Sequence, residues 1–207
     1  MSHKNKQKIE PKAEAKVEGK VDGKAEAKEI AKPFKIEKIK AVFDGENVSS
    51  NKEEAMTLHA QSRFGEFKSG KVIYSMFESL YLLEKEKMEV SFKKKKLKFE
   101  QLLEIGRETD KTIRTKYIVF RDMRNRGFIV KTALKFGADF RVYDRGVKPG
   151  EDHARWILYP VFETSSLTWH DFSAKNRVAH STKKNLLIGV VDEETDVTYY
   201  EIKWTKP

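Results

Sequence analysis

Arg121-Asp122-Met123-Arg124-Asn125-Arg126-Gly127-Phe128-Ile129-Val130-Lys131 passes from helix signals to strand signals at its single glycine, and that passage sets the second half of the chain. Thr112 to Arg126 predicts a helix, Gly127 stops it, and strand-like runs follow. Phe140-Arg141-Val142-Tyr143 alternates apolar and polar positions. Phe140 and Val142 should therefore face a core, while Arg141 and Tyr143 share the other face and leave Tyr143 accessible. A loop from Arg145 to His153, with Gly146, Pro149 and Gly150, leads into a strand over Trp156 to Phe162. Thr168 can cap a helix reaching about Ala179. Leu186 to Val191 and Val197 to Trp204 then predict a closing hairpin around Asp192 to Asp196.

Toward the amino terminus, the polar stretch Glu108 to Lys111 marks a boundary. Before it, Ile36 to Val42 predicts a strand ending at the Asp44-Gly45 turn. Asn51 can cap a helix running to Phe64 and stopping at Gly65. Ser75 followed three residues later by Glu78 is a capping box, with Phe77, Leu80 and Leu83 as the apolar face of the helix it opens. Phe99 to Arg107 gives a third helix. The fold class is α+β: an N-terminal α+β domain over 35–111 and a C-terminal mixed-sheet domain over 112–207. Residues 1–34 differ from both, with Lys at 12, 16, 20, 24, 28 and 32, acids at 14, 18, 22 and 26, and almost no apolar bulk. Such a segment cannot bury enough surface to fold and is expected to be a disordered tail. Residues 1–32 hold nine lysines against six acids, a net of +3, so most of the formal charge of +10 belongs to the folded part.

Composition narrows the function. A surplus of +10 implies attraction to a polyanion, either nucleic acid or an acidic membrane surface. Leu186 to Val191 is far too short to cross a bilayer, and Met1 to Lys12 lacks the apolar core of a secretory signal, so a cytoplasmic protein is expected. Cysteine is absent, which removes disulfides, zinc-thiolate sites and thiol nucleophiles. Lys93 to Lys96 reads as a solvated loop before it reads as an RNA-phosphate contact.

Residues 121–131, then Lys135-Phe136-Gly137-Ala138-Asp139-Phe140-Arg141-Val142-Tyr143, then a glycine-containing loop ending in His153, then Arg177-Val178-Ala179-His180-Ser181-Thr182-Lys183-Lys184 before an apolar strand, form an ordered series. In order and spacing the series resembles the archaeal tRNA-intron endonucleases, and the likeness extends over nearly all of 36–207. Ala133 departs from it, standing where the family commonly has Gly. The resemblance implies a restriction-endonuclease-like catalytic half, a triad of Tyr143, His153 and Lys184, no metal and no cofactor. Taken singly, the three read as a strand tyrosine, a loop histidine and a surface lysine; their joint occurrence decides. The chemistry suits them. The ribose 2′-hydroxyl attacks its own phosphate, His153 protonates the departing 5′ oxygen, and Lys184 offsets charge on the phosphorane. Tyr143 takes the 2′ proton, a role that needs nearby cations because a phenol of ordinary pKa, about 10, is a poor base. Lys183 is the rival of Lys184, since neighbours along a strand point to opposite faces.

The resemblance further implies that Arg177 and Trp204 sandwich a bulged base, reaching it from a partner subunit, although Trp204 reads equally well as an apolar anchor for the last strand. It also implies that Asp192, Glu193, Glu194 and Asp196 form a subunit contact. The expected partner is an intron-containing pre-tRNA read by shape, as two bulges flanking a short helix. One triad per chain against two splice junctions favours an even assembly, a homotetramer built as a dimer of dimers, with α2β2 as runner-up. Two other functions compete. Glu201-Ile202-Lys203 matches the E-x-K element of metal-dependent nucleases, with Asp192 or Asp196 as a further ligand. A structural or RNA-binding subunit is the other, and it would be expected to lack the triad.

Overall fold

The computed structural model describes residues 38–147, 150 and 153–205. The expected disordered tail, and residues 36–37 of the first expected strand, lie outside them. Strand β1 (Ile39–Phe43) carries the alternation of a strand with one buried face, Ile39, Ala41 and Phe43 inward. It pairs with β2 (Val48–Ser50), and α1 (Glu53–Ser62) follows. A hairpin of β3 (Glu66–Lys68) and β4 (Lys71–Tyr74) leads into α2 (Met76–Glu84). The second hairpin, β5 (Met88–Phe92) and β6 (Lys95–Leu97), precedes α3 (Phe99–Thr109). The six strands form one mixed sheet in the order β3-β4-β2-β1-β5-β6, with β1 and β5 parallel.

The C-terminal half opens with α4 (Ile113–Asn125), followed by β7 (Ile129–Thr132), a 3-10 turn over Leu134–Phe136, β8 (Phe140–Tyr143), β9 (Trp156–Phe162), α5 (Trp169–Ser181), β10 (Asn185–Val191) and β11 (Val197–Ile202). Its sheet runs β11-β10-β9-β8-β7, with β9 and β10 parallel around α5 and every other pair antiparallel. The fold is α+β with a mixed C-terminal sheet, as expected, and Gly127 ends α4 as expected. Its φ of +88 lets Gly127 N–H reach the carbonyl of Arg124 while Phe128 N–H returns to Met123, closing the helix with a Schellman motif. Among the described residues no helix is long and apolar enough to cross a membrane.

Two expectations need correction. The first helix is entered through Lys52 rather than Asn51, and no side chain caps it. The cause is local: β2 keeps the chain extended through Ser50, whose hydroxyl accepts from Lys52 N–H at 3.3 Å. The lysine run is solvated, as expected, but forms a tight hairpin in place of a loop. Lys93 and Lys94 both sit at positive φ, +48 and +66, the geometry of a two-residue type I′ turn, and Lys95 and Lys96 already belong to β6. Lys96 pairs with Glu89 across that hairpin at 2.8 Å.

The halves share apolar packing. Phe77 of α2 meets Phe140 of β8 edge to face at 4.9 Å, Tyr81 meets Phe120 of α4 at 6.1 Å, and Leu80, Leu102, Ile113 and Tyr117 form one buried cluster. One buried polar contact joins them as well. Glu78 Oε1 accepts from Lys131 Nζ of β7 at 2.8 Å and from Gly65 N–H at 2.9 Å. Its Oε2 accepts from the backbone N–H and the hydroxyl of Ser75, both at 3.0 Å, so the expected capping box is also part of the junction. Lys131 in turn donates to Gly65 O at 2.7 Å. Only glycine fits at 65: φ is +72, and a Cβ would lie 2.4 Å from Val72 and 2.9 Å from a backbone oxygen.

Candidate active site

Three neighbouring strands present one end to the candidate site. Strand β8 finishes at Tyr143, opposite Ile129 of β7. After the loop the chain returns beside it: Val142 pairs with Trp156, and Arg155 N–H donates to Val142 O at 2.9 Å. On the other side of β9, Asn185 pairs with Trp156, and its N–H donates to Arg155 O at 3.1 Å. Tyr143, Arg155 and Lys184 are therefore level with one another, and His153 lies two residues before Arg155 in the loop that enters β9. Tyr143 and Lys184 stand two strand spacings apart, about 10 Å between backbones.

Lys184 owes its position to the end of α5 rather than to strand alternation. Lys183 N–H donates to His180 O and Lys184 N–H to Ala179 O, both at 2.9 Å, which is again a Schellman motif, here with Lys183 at the left-handed position, φ +55. The turn leaves Lys183 exposed and Lys184 half-buried, with Lys184 Nζ donating to Thr182 O at 2.7 Å. A lysine at positive φ is strained, whereas a glycine is not. Lys183→Gly is accordingly expected to stabilise the protein by about 1 kcal/mol, read as a higher Tm, with cleavage retained.

Tyr143 is buried, contrary to the expectation of an accessible face. It is 4% exposed, packed with Ile129 and Ala154 and flanked by Val147. The strand alternation is correct, but β8 is an interior strand of a sheet covered on both faces. Phe140 and Val142 face one core, while Tyr143 faces the returning loop. Its ring still borders a cavity of about 380 Å³, which Lys131, Arg141 and Tyr143 line from the sheet and His59, Arg63 and Phe67 from the N-terminal half.

Sequence reasoning passed over Arg141 and Lys131. The Arg141 guanidinium lies 5.9 Å from the centre of the Tyr143 ring, and its Nε is buried with no hydrogen-bond partner. Partial burial and the positive charge of Arg141 hold the Lys184 ammonium below the usual lysine range. Arg141 was visible in the alternation as the residue sharing a face with Tyr143, and the +7 of the folded part was a hint that cations would gather. Nothing in the sequence pairs Lys131 with Glu78, 53 residues away. His153 is exposed, in the loop just before β9.

Trp204 lies past the end of β11 and is 59% exposed, which removes its reading as a buried anchor. Its ring is 4.6 Å from that of His180, and both line a hollow of about 330 Å³ together with Lys183 and Lys184. Arg177 is exposed one helical turn earlier on α5. The acidic residues form the tip of the β10–β11 hairpin. Asp192 Oδ1 accepts from Asp196 N–H at 2.8 Å, and Glu193 N–H donates to Glu163 at 3.1 Å, so the backbone of the tip is held in place. The metal-nuclease alternative is not assembled. Glu201 accepts from Asn185 Nδ2 at 2.6 Å, and Asp196 stands five extended residues away, about 16 Å along the strand. Among the described residues no three His, Asp or Glu side chains gather closely enough to hold a metal ion.

With this geometry in place, comparison with known proteins is decisive. Residues 113–199 match the family model of the tRNA intron endonuclease catalytic C-terminal domain, and residues 39–103 match that of its N-terminal domain. The chain belongs to the tRNA intron endonuclease family. A tRNA-splicing endonuclease of Thermococcus onnurineus (strain NA1) is 42% identical over 171 residues, 82% of this chain and 98% of the relative. That of Pyrococcus horikoshii is 39% identical over 169 residues, 81% and 97%. The Methanothermobacter thermautotrophicus protein of the same name is 37% identical over 153 residues, 74% and 89%. As a tRNA intron endonuclease the protein is an enzyme, and its catalytic match takes in Tyr143, His153 and Lys184.

Proposed function

We propose that the enzyme cuts pre-tRNA at both intron–exon junctions, within a bulge-helix-bulge, by intramolecular attack of the ribose 2′-hydroxyl. Tyr143 takes the 2′ proton as the O2′–P bond forms, the P–O5′ bond breaks, and His153 delivers a proton to O5′. Lys184 offsets the charge gathering on the phosphorane without moving a proton. The products are a 2′,3′-cyclic phosphate and a 5′-hydroxyl, and no water or metal enters the step. The observation that carries this reading is that Tyr143 ends β8 and Lys184 directly precedes β10 at one end of the sheet of a matched catalytic domain, with His153 in the loop that leads into β9 between them.

Arg177 and Trp204 hold a splayed base, a contact worth roughly 1 to 3 kcal/mol per base. The exposure of both side chains, and the hollow that Trp204 shares with Lys184, support this. Two junctions per intron call for two triads. The working assembly is a homotetramer, a dimer of dimers with the tip at Asp192, Glu193, Glu194 and Asp196 as a subunit contact; α2β2 is the alternative. The test uses the purified chain alone, a bulge-helix-bulge RNA and excess chelator. Two cuts with cyclic-phosphate ends are expected; cleavage that stops in chelator, or that requires a second polypeptide, would overturn the corresponding part.

A further inference from the structure

Arg141 and Lys184 form a pair of cations with no carboxylate partner among the described residues. Burial, and then the like charge of Arg141, lower the affinity of Lys184 for its proton. Lys131, one strand over and in register with Arg141, shows the usual remedy, since Glu78 meets it at 2.8 Å. Glu66 is the one carboxylate among the described residues lining the cavity beside Arg141, and it is exposed. The guanidinium lies 5.9 Å from the centre of the Tyr143 ring at the edge of that cavity, its Nε is buried without a partner, and among the described residues no protein atom accepts from its terminal nitrogens. Guanidinium groups match phosphate oxygens better than any other side chain.

We propose that Arg141 is a second phosphate-binding cation of the active site, donating to a non-bridging oxygen of the scissile phosphate while Lys184 approaches it from the other side. The proposal deepens the function given above and rests on its placement of the reaction at Tyr143, His153 and Lys184. It assigns Arg141 a contact with substrate in both the ground state and the phosphorane. Its guanidinium thereby also fixes the phosphate beside the Tyr143 oxygen, which accepts the 2′ proton and becomes a phenol.

The test compares the unmodified enzyme with Arg141→Ala and Arg141→Lys in two measurements. One is single-turnover cleavage of a bulge-helix-bulge RNA. The other is binding of the same RNA carrying a 2′-deoxy sugar at the cut site, followed against salt concentration. Loss of one phosphate contact lowers the slope of log K against log salt by about 0.7 to 0.9. Arg141→Ala is expected to show that drop and a rate loss of roughly 100-fold, partly restored by added ethylguanidinium. Arg141→Lys should keep the slope and recover part of the rate. An unchanged slope in Arg141→Ala, whether the rate falls or not, would overturn the proposal, because a merely structural role alters no counterion release. Lys184→Ala serves as the separate control: were it fully active, the triad reading would fail, while the salt slope would still report on Arg141.

Discussion

Lys184→Ala is expected to slow single-turnover cleavage by roughly 100- to 1,000-fold, the usual effect of deleting one group aimed at developing charge, while Lys183→Ala stays within a factor of a few. The distinction follows from the turn that ends α5, which leaves Lys183 in solvent and brings Lys184 within the field of Arg141. Equal activity of the two variants would refute the assignment. Removing the Lys184 charge should act on stability in the opposite sense. Burial, and then Arg141, lower the affinity of Lys184 for its proton, so across the window between its folded and unfolded pKa the unfolded chain binds more protons. Stability therefore rises with pH through that window, and the penalty is fully present below it, including at neutrality. Lys184→Met should raise Tm at neutral pH while abolishing most activity. Because catalysis uses the charged form, the alkaline limb of cleavage should begin below the pH expected of an ordinary lysine.

Glu78→Gln is expected to cost about 3 to 5 kcal/mol, measured by urea unfolding, because it leaves Lys131 charged and buried without its counter-ion. Four hydrogen bonds converge on this carboxylate, from Gly65, Lys131 and both donors of Ser75, and an amide cannot accept them all. Replacing both partners by methionine should recover much of the loss, since no charge is then stranded. A loss below about 1 kcal/mol for Glu78→Gln, in the range of an exposed pair, would show that water reaches the junction.

The C-terminal half was legible because its signals are local and strong. Gly127 ends a helix, Thr168 Oγ1 accepts from Asp171 N–H to start one, and the strands from Trp156 and Asn185 are long and apolar. The N-terminal sheet was largely hidden. Strand β3 is exposed along its whole length and β6 over two of its three residues, so neither carries an alternation to read. Their pairing comes from neighbours, which a single sequence does not display. At the site, the proposal of Tyr143, His153 and Lys184 came from the likeness of their surrounding motifs to a family, since each residue alone reads as ordinary. The burial of Tyr143 stayed hidden because the face it shares with Arg141 is covered by a loop and by residues of the other half. Arg141 was overlooked for a related reason: a charged residue alternating with apolar ones reads as solvent-facing until the second cover is seen.

That second cover bears on how the molecule can be divided. Phe77, Tyr81, Phe120 and Phe140 interlock between the two halves, and Lys131 finds its counter-ion among the described residues on the far side, at Glu78. A fragment starting at α4 would keep the whole trio yet present a stripped aromatic face and a stranded ammonium to water. Melting should consequently run through both halves in a single transition, and cutting the chain back to α4 should not yield a stable minimal nuclease.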